Sequence, residues 1–145
     1  MKTSLIKNIQ GTWLLSSMKI INDNGDIRDL FGESSIGITT FDASGYVNSQ
    51  MGSLTRPKFR SEIINQGTPD EIIAAYNNYM AFFGRYREDS PNTLIIHLEG
   101  CLFPNWQGKE ITRIAEIKDN LLFLSTPPTR FGVVDAVVKA TWIRV

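Results

Sequence analysis

One cysteine and one histidine are all that this chain of 145 residues offers to thiol or imidazole chemistry. Cys101 has no second cysteine for an internal disulfide, and His97 beside it does not complete a ligand set for a structural zinc. It reads as a small apolar residue, buried or half-buried. The same scarcity argues against transition-metal catalysis, so no metal and no cofactor are expected. No Gly-x-Ser-x-Gly elbow, Walker-type phosphate loop or dinucleotide fingerprint follows a strand, which sets aside nucleophilic hydrolysis and nucleotide chemistry. Basic and acidic residues balance at 15 each, leaving no overall field to draw nucleic acid or an acidic membrane. No apolar run approaches the length of a membrane-spanning helix. The first residues start positive, but Lys7, Asn8 and Gln10 interrupt the apolar stretch that a signal peptide would keep. A cytoplasmic location is the expectation, with neither nucleic acid nor membrane as partner.

What the chain does have is a matched pair of ends. Gly11-Thr12-Trp13 opens the folded region and Trp142-Ile143-Arg144-Val145 closes it. A Gly-x-Trp in a first strand and an Arg near the end of a last strand can seal a small up-and-down barrel, the indole plugging the floor and the guanidinium stacking on it. The plainer alternative leaves Trp13 and Arg144 as unrelated core and surface residues.

Between these ends the chain is punctuated as an antiparallel sheet. The run from Thr12 to Ile21 stops at Asn22-Asp23-Asn24-Gly25, a strong turn signal. The stretches Gly37 to Phe41 and Tyr46 to Met51 flank Asp42-Ala43-Ser44-Gly45, the clearest hairpin in the sequence. Two more hairpins join Phe82 to Glu88 with Thr93 to Glu99, and Glu110 to Ile117 with Leu121 to Ser125. Thr126-Pro127-Pro128-Thr129-Arg130-Phe131 is a stiff loop before the β-branched run from Val133 to Arg144, which suits a closing strand. Ser4 to Gln10 forms a short helical lid through Leu5, Ile6 and Ile9. Thr68-Pro69-Asp70-Glu71 is a helix start leading through Ile72 and Tyr76 to Tyr79 and Met80, whose spacing packs the helix over the barrel or across its mouth. The order predicts an all-β, antiparallel up-and-down barrel of about eight strands, with a short N-terminal helix and one inserted helix. Residues 1–145 are expected to form a single domain.

Several segments together resemble the bacterial and fungal lipocalin-like domain family. They are Gly11-Thr12-Trp13-Leu14-Leu15-Ser16-Ser17, Phe31-Gly32-Glu33 with Ile36-Gly37, Asp42-Ala43-Ser44-Gly45-Tyr46, Phe83-Gly84-Arg85-Tyr86, Phe103-Pro104-Asn105-Trp106-Gln107-Gly108, Arg113 and the closing Trp142-Ile143-Arg144-Val145. The most specific is the Pro-Asn-Trp-x-Gly loop, with Arg five residues after its Gly. The resemblance implies a lipocalin-like β-barrel around a cavity, in a family whose members mostly lack an assigned activity. The family commonly shows paired histidines where this chain has Ile96-His97, so no role that needs two imidazoles carries over.

Alternation along Glu110 to Ile117 places Ile111, Arg113, Ala115 and Ile117 on the more apolar face, which should point inward. An inward guanidinium needs a carboxylate, buried water or an anionic ligand group. Glu99 and the loop carbonyls around Asn105 are structural partners it can find without a ligand. Alternation puts His97 outside, unless a bulge near Gly100 changes the parity; inward, it would be the side chain suited to proton transfer near neutrality. Tyr46, Met51, Phe83 and Tyr86 are candidate walls, and Trp106 either binds a ligand or folds back to cap the rim. The first functional reading is binding of a small hydrophobic or amphipathic molecule in the barrel, with Arg113 as polar anchor. The alternative is a cofactor-independent isomerase or cyclase acting on a small apolar substrate, with His97 or a tyrosine moving the proton. A third option is a barrel filled by its own side chains. The ligand's identity and the oligomeric state are not legible.

Overall fold

The computed structural model describes residues 4–131 and 134–145. Val133, where the sequence starts the closing strand, lies outside the described residues, as do residues 1–3. A short helix, α1 (Leu5–Ile9), leads into β1 (Gly11–Asn22), β2 (Ile27–Asp29), β3 (Ser35–Phe41) and β4 (Tyr46–Ser53). A second helix, α2 (Pro69–Asn77), precedes β5 (Tyr79–Ser90), β6 (Thr93–Cys101), β7 (Glu110–Lys118), β8 (Leu121–Ser125), β9 (Thr129–Phe131) and β10 (Val134–Arg144). Strands adjacent in the sheet pair antiparallel, and β1 pairs with β10, which closes β1, β3 to β8 and β10 into an eight-stranded barrel. The short β2 and β9 lie outside that ring as ribbons on the upper ends of β1 and β10. Neither was legible in the sequence, and β9 takes the latter half of the segment expected to be a stiff loop. Among the described residues no helix is long and apolar enough to cross a membrane.

The floor is built where the chain ends meet. Trp13 pairs with Arg144 in the β1–β10 ladder, so their side chains share the inner face. The guanidinium carbon of Arg144 lies 4.0 Å from the Trp13 ring centroid. Arg144 Nη1 also donates to the Gln10 carbonyl at 2.9 Å, and Nη2 donates to the carbonyl of Asn8. Trp13 itself is fully buried, and its indole N–H donates to the Ile9 carbonyl at 2.8 Å, fastening α1 beneath the barrel. Gly11 makes room for this: its φ is +125°, and a Cβ there would stand 3.1 Å from Arg144 Nη1. Around the indole the core continues through Ile9, Phe41, Leu94, Leu98 and Leu122.

The inserted helix departs from expectation. A full capping box starts it, Thr68 Oγ1 accepting from the Glu71 N–H while the Glu71 carboxylate accepts from the Thr68 N–H. It ends at Asn77, and Tyr79 and Met80 belong to β5, where they pair with Gly52 and Met51. None of its residues is buried, and Ile72, Ile73 and Tyr76 are exposed. The helical spacing of those side chains therefore does not pack α2 onto the barrel. Local bonds hold the segment instead, from Asn78 Nδ2 to the Ala74 carbonyl and from Arg56 Nη1 to the Ala75 carbonyl.

Three substitutions test the floor by denaturant unfolding. Trp13→Ala should cost about 3–5 kcal/mol, the range for truncating a large buried aromatic. Arg144→Ala should cost about 1–3 kcal/mol for the cation–π contact and the carbonyl bonds together. Arg144→Lys should recover only part of this, since an ammonium lacks the planar fork that stacks and donates twice.

Candidate functional site

Alternation on each strand delivers one set of side chains to the barrel interior, and the upper half of that interior is open. The cavity has a volume of about 380 Å³. On β4 the inward set is Val47, Ser49 and Met51; on β7 it includes Ile111 and Arg113; β10 contributes Val138, Ala140 and Trp142. Phe31, Trp106 and Pro127 come from the connections at the open end, so the rim is made of loops while the wall is made of strands. The enclosure is mostly hydrocarbon, with a few polar groups at separate places, as small-molecule sites generally are.

Arg113 is the one basic side chain among the described residues that line the cavity. Its register explains its direction: Leu94, fully buried, pairs with Arg113, and Ile96 pairs with Ile111, so all four side chains face in. Nη1 donates to the neighbouring Thr112 carbonyl at 2.8 Å. Among the described residues no carboxylate lies within ion-pair distance of it. The expected structural partner, Glu99, instead faces out, bonded to Tyr46 and 3.4 Å from Arg85 Nε. Loop carbonyls around Asn105 do not bond Arg113 either. Loss of water around the guanidinium pushes its pKa down to about 10.

The remaining candidates divide by side of the wall. Met51 and Trp106 line the cavity with Arg113, and Trp106 does so by folding back over the rim in the turn Pro104–Trp106, its ring 5.6 Å from that of Phe103. Tyr46 and Phe83 are on the outer surface: Tyr46 Oη accepts from Arg85 Nε at 3.1 Å, and Phe83 is half exposed. Tyr86 faces in but lies below the cavity, edge-on to Phe41 at 5.0 Å, with its hydroxyl donating to the Asp42 carbonyl at 2.7 Å. Burial and then the Asp42 carboxylate raise its pKa. His97 pairs with Glu110 and is exposed on the outside. A bulge does exist, between the pairs Phe83–Gly100 and Gly84–Leu98, but it takes up its extra residue at Glu99, beyond His97, and leaves the histidine's parity untouched. No bulge therefore brings His97 and Arg113 into one cavity.

Other wall residues escaped sequence reasoning. Trp142 was read only as part of the closing motif, yet it lines the cavity, and its Nε1–H is buried without a hydrogen-bond partner. Thr39 and Ser49 also line it, directly paired across β3 and β4 and almost wholly buried. Their period-two spacing with Phe41 and with Val47 and Met51 was the available signal.

Because Arg113 lacks a carboxylate partner, Arg113→Met should leave stability within about 1 kcal/mol of the wild type or raise it. Stranding a buried carboxylate would instead cost about 3–5 kcal/mol. The pH dependence has a defined sign. The folded state is penalised for keeping the proton below its pKa of about 10, and that penalty fades as pH climbs from there toward the ordinary arginine range. Wild-type stability should gain on that of Arg113→Met over this window, measured by unfolding both proteins at matched pH.

Comparison with known proteins agrees with this architecture. A 4'-hydroxy-3'-methoxypropiophenone carrier protein of Aspergillus oryzae is 31% identical over 77 residues, which are 48% of this chain and 69% of the relative. The model of the lipocalin-like domain family matches residues 10–145, from just before the floor tryptophan to the last residue of the sequence. With the closed barrel, the sealed floor and the interior cavity in place, the chain belongs to the lipocalin-like domain family.

Proposed function

We propose that the barrel binds one small, largely apolar molecule in its cavity and that Arg113 donates to an oxygen of that molecule, either anionic or carbonyl. The observation that carries the reading is the guanidinium on an otherwise mostly hydrocarbon wall with no carboxylate beside it among the described residues. Such a group is costly to enclose and gains most from an acceptor that arrives with the ligand. The name of the Aspergillus oryzae relative supports the same class, since a carrier of an aryl ketone holds an apolar ring and a carbonyl oxygen. Met51 and Trp106 serve as apolar walls in this reading. Tyr46, Phe83 and Tyr86 do not line the cavity and have no part in this reading.

The reading takes residues 1–145 as one binding domain acting in the cytoplasm, with neither nucleic acid nor membrane as partner. Its balanced charge accords with that. A cofactor-independent isomerase or cyclase has no comparable support: His97 and Tyr46 are outside, and the Tyr86 hydroxyl is engaged by the Asp42 carbonyl below the cavity.

Titration calorimetry with biphenyl-4-carboxylate tests the proposal. The wild type should bind it saturably at one site. Arg113→Met should weaken that binding by about 1.5–3 kcal/mol, the range for hydrogen bonds to charged groups. Ala140→Phe places a ring in the cavity and should abolish binding in protein that still shows a cooperative melt. Undiminished affinity in both variants would put the site elsewhere on the molecule.

A further inference from the structure

The cavity has a second polar end that the anchor at Arg113 does not reach, and its donors have no partners. Trp142 is 2% exposed, lines the cavity, and its indole N–H makes no hydrogen bond. Orphaned buried donors are rare, because leaving one unpaired forfeits its bond to water without replacement. Nearby, the hydroxyls of Thr39 and Ser49 line the same cavity and bond no other described residue. Thr39 pairs with Trp13 and Trp142 pairs with Leu15, so these polar groups flank β1 at the floor side of the cavity.

The register fixes how far this end lies from the anchor. Ser125 pairs with both Ile114 and Lys139, which sets Arg113 level with Val138 on β10. Trp142 follows Val138 by four residues, about 13 Å along the strand at roughly 3.3 Å per residue. Arg113 Nη1 is folded back onto the carbonyl of its neighbour Thr112, so the guanidinium stays at its own level of the wall and the two ends call for separate acceptors.

We propose that the ligand carries two acceptor oxygens at opposite ends of an apolar body, one received by Arg113 near the rim and the other by the Trp142 indole N–H near the floor. This rests on the cavity reading above and narrows it: the ligand is elongated, doubly oxygenated and enters with one defined end first. Thr39 and Ser49 add hydroxyls that adapt to the deep oxygen, because each both donates and accepts.

The test compares 4'-acetylbiphenyl-4-carboxylate with 4'-isopropylbiphenyl-4-carboxylate, which matches its shape but lacks the second acceptor. The acetyl compound should bind the wild type about tenfold more tightly, in line with the cost of leaving a buried donor unmet. Trp142→Phe should erase that preference, the two compounds then binding the variant with equal affinity whatever loss the smaller wall imposes on both. A readout on the wild type guards against a variant that fails to fold: the Trp142 indole N–H resonance should move downfield with the acetyl probe and stay in place with the isopropyl probe. Equal affinities with an unmoved resonance, both probes still depending on Arg113, would overturn the second oxygen and leave the cavity reading standing. If neither probe binds, the cavity reading falls and takes this proposal with it.

Discussion

The seam between β1 and β10 turns an open sheet into a container, and the stack of Arg144 on Trp13 holds its lower end. A sheet left open would present two rows of unpaired backbone groups and an apolar face to water. Closure pairs those edges with each other. The indole then does two jobs at once, filling the narrow end of the barrel and bonding the Ile9 carbonyl so that α1 lies across the base. With the base filled by packed side chains, the remaining interior volume is confined to the rim side, where the loops are. The position of the cavity is thus a consequence of the floor.

Much of this was legible because strand periodicity and turn chemistry are local. The hairpin turns, the eight barrel strands, the helix start at Thr68 and the inward parity of Arg113 follow from residues a few positions apart. Local rules also contained a warning that was missed. Tyr46 and Met51 stand an odd number of positions apart on one strand, as do Phe83 and Tyr86, so neither pair can share a face while the strand remains regular. Choosing both members of each pair as cavity walls contradicted the alternation that placed Arg113 correctly. The pairings of β2 and β9 lay beyond reach for a different reason: three-residue strands carry too little pattern, and their existence depends on the overhanging ends of β1 and β10.

The site was legible in part. Arg113 stands out in sequence because a charge on an apolar face is conspicuous. Whether it has a carboxylate partner is a question of long-range register, and the candidate Glu99 stands on the outer face of β6, bonded to Tyr46 and close to Arg85. Trp142 was hidden by its own size: a large aromatic in a core strand reads as packing. Its unpaired nitrogen becomes visible only once the neighbours are known. The helix α2 shows the converse error, since its apolar side chains have helical spacing and yet none is buried. Periodicity says which face of a helix is apolar and not that something covers it.

The bonds from Arg144 to Gln10 and Asn8 join residues 134 and 136 positions apart. Every barrel hairpin can form between neighbours in the chain, but this seam closes a loop of nearly the whole length, at a conformational cost of about 4 kcal/mol for a flexible chain. One edge of the first strand therefore stays unpaired until the last strand reaches it, whether during synthesis or on dilution from denaturant. Folding should be limited by that late meeting of the ends, and the vulnerable species is a curled, unclosed sheet whose β1 edge is free to pair with another chain.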